Sequence, residues 1–188
     1  MLDADITESA KRVARALEAA NVPYAIGGAI ALTMHGFVRA TRDVDVNAFC
    51  VPTDVPGVID ALVKAGLQLE PERALAEASS EGWFTAWDGP IRVDVFVPSI
   101  AFSWEARDTR VELEFLGHRT WFLSAEALCV FKLLFFRNKD LADLEQLVMG
   151  SRTLDRAAVR AKIVALMGED DERVRSWDEI VARYGASA

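Results

Sequence analysis

Residues 24–48, YAIGGAIALTMHGFVRATRDVDVNA, constrain the fold of this chain more than any other stretch. A short apolar run, Tyr24-Ala25-Ile26, stops at Gly27-Gly28. An apolar segment of helical length follows over residues 29–35, and Gly36 ends it. After Arg39-Ala40-Thr41-Arg42 comes a strict alternation, Asp43-Val44-Asp45-Val46-Asn47. The pattern predicts strand, glycine turn, helix, loop and strand, in that order.

Side chains alternate between the faces of a strand, so Asp43, Asp45 and Asn47 share one face while Val44, Val46 and Ala48 share the other. Aspartate is depleted in strands, because it packs poorly and competes for backbone hydrogen bonds. Two at neighbouring same-face positions form a local conflict of the kind that gathers at functional sites. Such carboxylates suit a hard cation such as Mg²⁺ or Mn²⁺, which prefers oxygen ligands. Glycines that open a helix let a phosphate approach backbone N–H groups. One end of the unit would then hold a triphosphate and the other its metal.

The rest of the chain supplies the frame. Amphipathic spacing predicts a helix over residues 3–20, capped by Thr7, with Ile6, Val13 and Leu17 on one stripe. A second helix is expected over 55–65, with Val58, Ile59 and Leu62 inward and Gly66 closing it. Residues 71–80 fit no single pattern. Residues 83–97 read as a hairpin turning at Asp88-Gly89-Pro90. On its second arm Arg92, Asp94 and Phe96 share a face, so Asp94 is another acid in mid-strand, with Asp88 as its competitor. A short helix over 99–107 and strands within 111–122, broken at Gly117-His118, come next. Ser124 caps a helix over 125–136 that is apolar nearly all round and is therefore expected to be buried. Lys132 inside it needs a partner or a ligand. Asp140 starts a helix over 141–149, and a continuous helical phase would place Lys132, Lys139 and Asp143 on one stripe. Helices over 154–167 and 171–183 complete the chain, the last with Val174, Trp177 and Val181 inward.

Composition narrows the function classes. With 188 residues and 52% hydrophobic content, a catalytic core over 1–122 and a helical region over 123–188 are expected. No apolar run reaches membrane-spanning length, and the start MLDADITES lacks the marks of a signal peptide, so a cytoplasmic protein with no membrane partner is expected. Cys50 and Cys129 form no CxxC and read as reduced core residues. With two histidines and no paired cysteines, a zinc site is not expected. The net charge of −8 argues against a general nucleic-acid-binding surface.

The glycine turn, short helix and D-x-D strand resemble the signature of the DNA-polymerase-β-like nucleotidyltransferases. The wording GG-x-A-L…HG…R-x-T-R-D-V-D-V resembles the branch containing the AbiEii-type toxins. The run KLLFFRNKDLADLEQL resembles the second block of that family. The resemblance spans roughly residues 20–150 and implies an α/β (α+β) nucleotidyltransferase fold, a mixed, mostly antiparallel sheet flanked by helices. It implies Asp43, Asp45 and Asp94 as metal ligands and catalytic acids. It implies Gly27, Gly28, Arg39, Thr41, Lys132 and Asp143 as nucleotide-binding residues. The cofactor would be Mg²⁺ or Mn²⁺, the substrate an NTP, and the acceptor a hydroxyl on RNA, protein or a small molecule. A cognate antitoxin is the implied protein partner.

Each signal has a plainer reading. The strand acids could face solvent on an edge, and Gly27-Gly28 could be only a tight turn. Lys132 could snorkel, and Arg39 and Arg42 could be solvated loop residues. His35 suits a helix C-terminus, where the dipole favours a cation. A non-catalytic nucleotide- or protein-binding member is the main rival, although such a member would be expected to lose one of the acids. An aminoglycoside-type adenylyltransferase, whose acidic cleft would suit the net charge, is the other.

Overall fold

A computed structural model describes residues 4–185. The chain divides into two compact units, Met1–Ala31 with Val38–Leu123, and Leu32–Phe37 with Ser124–Ala188.

The first unit is built on a sheet that has six strands among the described residues, in the order β3-β4-β2-β1-β6-β5. The strands are β1 (Tyr24–Ile26), β2 (Asp43–Ala48), β3 (Trp83–Asp88), β4 (Ile91–Phe96), β5 (Val111–Phe115) and β6 (His118–Phe122). The pairs β1–β2, β3–β4 and β5–β6 run antiparallel. The pairs β1–β6 and β2–β4 run parallel. This is the mixed sheet the sequence implied. Its apolar side is fully buried by Val44, Val46, Phe84, Ala86, Val93 and Val95. Helices α1 (Ala4–Ala19) and α3 (Val55–Lys64) supply Ile6, Val13, Leu17, Val58, Ile59 and Leu62 to this core. The half-buried, buried alternation along β2 is the period-2 pattern of a strand with one face in the core.

Some local expectations shift. Thr7 lies inside α1, buried, and not at its cap, because the helix already runs from Ala4. The ambiguous stretch after Glu70 is a helix, α4 (Pro71–Glu81). Pro71 stands at its first position, where the missing N–H costs nothing. Gly82 ends α4 in the left-handed region at φ 77°. The short helix expected near residue 100 is α5 (Ala101–Asp108). Helix α2 (Gly28–Met34) joins β1 to the loop before β2.

The second unit is helical: α6 (Ala125–Phe135), α7 (Asn138–Gly150), α8 (Arg156–Met167) and α9 (Glu172–Tyr184). Ser124 caps α6 as expected, its Oγ accepting from the Ala127 N–H at 3.1 Å. Leu128, Leu133, Leu144, Leu147, Val159, Ile163, Val174 and Trp177 form the core. The inner stripe of α9 is Val174, Trp177 and Ile180, with Val181 only half-buried. Burial of α6 is less complete than its composition implied: Phe135 is 48% exposed, and the Arg137 guanidinium stacks over its ring at 4.9 Å. Phe136 takes a left-handed conformation, φ 54°, and stops α6 there. The helical phase therefore does not carry into α7, and Lys139 is exposed instead of joining the Lys132 stripe.

Among the described residues no helix is long and apolar enough to cross a membrane. Cys50 and Cys129 are free and buried. Burial pushes the Cys50 thiol up to about 11 and raises that of Cys129 as well, so neither is poised as a nucleophile.

Gly82→Ala should lower the stability of the protein. The left-handed backbone disfavours a side chain, and the new Cβ would stand 2.8 Å from the Ser99 Cβ. We expect a loss of roughly 2 kcal/mol in urea unfolding, since αL strain and overpacking each cost on the order of 1 kcal/mol or more.

Candidate active site

The polar face of the sheet is a grid set by strand register. Asp43 lies beside Arg92, Asp45 beside Asp94, and Asn47 beside Phe96, across the parallel β2–β4 pair. Across β3–β4, Arg92 lies beside Trp87, Asp94 beside Thr85, and Phe96 beside Trp83. Because β2 and β4 pair residue for residue, Asp43, Asp45 and Asp94 share one face. Opposite them the same strands present valines to the core. Asp88 belongs to the other face, where it pairs with Arg12 Nη1 at 2.6 Å. This separates the two competing acids of the hairpin.

The glycine turn is built onto β2. The Gly27 N–H donates to the Asp45 carbonyl at 2.9 Å, extending the β1–β2 ladder by one bond. Gly28 adopts φ 55°, and a Cβ there would stand 1.8 Å from Asp45 Oδ2. Only glycine fits, because the carboxylate occupies the volume of the missing side chain and the backbone is left-handed. Turn and acid thus form one structural element.

The other two acids have their own partners. Thr41 Oγ1 donates to Asp43 Oδ1 and lies 3.2 Å from the Asp43 carbonyl oxygen. Thr41, expected at the nucleotide, is thereby found holding a carboxylate. Asp94 is 8% exposed. Its Oδ1 accepts from Thr85 Oγ1 at 2.9 Å and from Arg92 Nε at 2.9 Å. Arg92 also lies over the Trp83 ring, 5.9 Å from its centroid. Arg92 is the contact that sequence reasoning missed. The signal was present, since i and i+2 in a strand share a face, but an exposed arginine beside an acid is usually a weak surface pair. Arg39 is half-buried and Arg42 exposed in the loop before β2.

The acids suit a hard divalent cation in type and number: three carboxylates on one face, with backbone close against the central one. Among the described residues, however, no three carboxylate, imidazole or thiolate groups are gathered tightly enough to hold an ion. On the Asp94 side Oδ1 is already taken by a guanidinium and a hydroxyl.

In the second unit, Lys132 is 5% exposed, so it does not snorkel into solvent. Its Nζ donates to Asp143 Oδ2 at 2.6 Å and stands 3.7 Å from Asp140 Oδ1. Asp140 accepts from Arg137 Nε at 2.6 Å and from the Arg137 N–H at 3.2 Å. Burial works to raise the Asp140 carboxyl, but the Arg137 hydrogen bonds and the charges of Lys132 and Arg137 outweigh it and hold it below its ordinary value. The partner Lys132 needed is Asp143, as the sequence allowed, with Asp140 added.

Comparison with known proteins places the chain. Residues 4–184 match the family described as "nucleotidyltransferase of unknown function (DUF6036)", and the chain belongs to that family. No curated protein matches it. Among solved structures it resembles ANT(2")-Ia in complex with adenylyl-2"-tobramycin, with 16% identity, a TM-score of 0.54, and coverage of 95% of this chain and 98% of the other. It also resembles JHP933 from Helicobacter pylori, with 13% identity, a TM-score of 0.52, and coverage of 100% and 91%. At these identities the likeness is one of fold.

Two substitutions probe this geometry. Gly28→Ala must displace the Asp45 carboxylate or the turn. We expect a loss of about 1–2 kcal/mol from the left-handed backbone alone, read by urea unfolding, and more if Asp45 cannot move. Lys132→Met leaves Asp143 buried without its cation. It should cost about 3–5 kcal/mol, the range for breaking one side of a buried pair, and show as a large drop in the unfolding midpoint.

Proposed function

We propose that this protein is a metal-dependent nucleotidyltransferase that moves an NMP from an NTP to an acceptor hydroxyl. The observation that carries the reading is the single polar face holding Asp43, Asp45 and Asp94, with Gly28 seated against Asp45 where no side chain fits. In this reading Asp43 and Asp45 hold Mg²⁺ or Mn²⁺, and Asp94 completes the set. When bound, the cation would neutralise triphosphate charge and favour ionisation of the acceptor hydroxyl.

The chain's own residues divide the remaining work. The Gly28 backbone N–H receives the triphosphate, where the absence of side chains at Gly27 and Gly28 allows close approach, while the Gly27 N–H stays on the Asp45 carbonyl and fixes the turn. Arg39 balances the charge on the departing pyrophosphate. Thr41 orients Asp43. The acceptor oxygen forms a bond to the α-phosphorus as the bond from that phosphorus to the bridging oxygen breaks. Pyrophosphate leaves with the electron pair, and the acceptor proton passes toward Asp94, which acts as general base.

The acceptor is a hydroxyl on RNA, protein or a small molecule. The motif wording supports a toxin restrained by a cognate antitoxin. A second reading, adenylyl transfer to a small cationic acceptor, is favoured by the net charge of −8 and the acidic face. A cytoplasmic setting suits the free, buried cysteines.

Incubation with each labelled NTP, Mg²⁺ or Mn²⁺, and total RNA, protein extract or a panel of cationic small molecules separates these acceptors. Asp45→Asn should abolish transfer to whichever acceptor is labelled. It removes one of three neighbouring negative charges without adding bulk, so the metal-free melting temperature should hold or rise. A transfer rate equal to wild type would remove Asp45 from the reaction.

A further inference from the structure

Arg92 is the one cation among the described residues of the grid formed by β2, β3 and β4. In register it lies beside Asp43, and along its own strand it is two residues from Asp94. It bonds the Asp94 oxygen that also takes the Thr85 hydroxyl. Its side chain is 43% exposed whereas that of Asp94 is 11% exposed, so the guanidinium can leave for solvent more easily than the carboxylate can. The guanidinium already lies over the Trp83 ring, 5.9 Å from its centroid, a partner on the same face that it retains without Asp94.

A carboxylate oxygen that accepts two hydrogen bonds, one of them from a full positive charge, is a poor cation ligand until one donor moves. We propose that Arg92 is a positioning residue that competes with the divalent cation for Asp94. In the cation-free protein it neutralises and orients the third acid. When the cation binds, Arg92 yields Oδ1 and keeps its contact with the Trp83 ring. The affinity of the site for its metal is then set by the exchange of one positive charge for another, not by three free carboxylates. This inference rests on the metal-site reading above.

The test is Mn²⁺ binding without nucleotide, followed by the electron paramagnetic resonance of the free ion, for wild type, Arg92→Gln, Arg92→Lys and Asp45→Asn. Removing the competitor in Arg92→Gln should tighten binding by roughly three- to tenfold, the scale of a partly exposed charge pair. Arg92→Lys keeps the charge beside Asp94 and should restore the wild-type affinity. The exposure of Arg92 and the remaining Thr85 bond make unfolding of either variant an unexpected result, which circular dichroism checks. Unchanged or weaker binding in Arg92→Gln overturns the proposal, as does Arg92→Lys tightening as much as Arg92→Gln. Binding lost in Asp45→Asn but unaltered in Arg92→Gln would keep the metal site and remove the competition alone. No Mn²⁺ binding by folded wild type or Arg92→Gln would overturn the metal site, and this inference with it.

Discussion

The contact between Gly28 and Asp45 is the constraint on which the candidate site depends. A Cβ at residue 28 would lie within bonding distance of the Asp45 carboxylate oxygen, so the turn, the strand and the acid can coexist only with glycine there. The Gly27 N–H bonded to the Asp45 carbonyl fixes the same pair through the backbone. Together they hold the start of α2 against the middle of β2, with no side chain between the Gly28 backbone and the Asp45 carboxylate. The left-handed turn that only glycine tolerates and the conflict of acids in a strand are localised at one spot.

Charge on the sheet's polar face is managed locally. Asp43 is held by a threonine two residues earlier, and Asp94 by an arginine two residues earlier and a threonine across the hairpin. These short-range donors offset the charge of two of the three acids on that face. Arg92 is half-exposed while Asp94 is buried, so the guanidinium matters first as the charge that balances a buried carboxylate.

The second unit solves the opposite problem. Lys132 sits in an apolar helix and is removed from water, a cost that only close, well-bonded partners offset. The left-handed Phe136 ends α6 and lets α7 return with Asp140 and Asp143 on the side facing the amine. Arg137 completes the balance at Asp140. The resulting network is buried, and its charges balance one another inside the helical unit.

Much of this was legible in the sequence, because it follows from local rules. The period-2 alternation put Asp43 and Asp45 on one face and valines on the other. The same alternation put Arg92 and Asp94 together, and Gly27-Gly28 marked a turn before a helix. The lone lysine in an apolar helix announced that it needed a partner. What only the tertiary structure decided is non-local. The parallel pairing of β2 with β4 set Asp45 beside Asp94, and hairpin register sent Asp88 to the opposite face. The left-handed stop at Phe136 broke the helical phase that periodicity alone would carry through. Strand register and partner choice are settled by the packing of a whole sheet face and by the desolvation of each charge in its final surroundings. No short window of sequence contains that information.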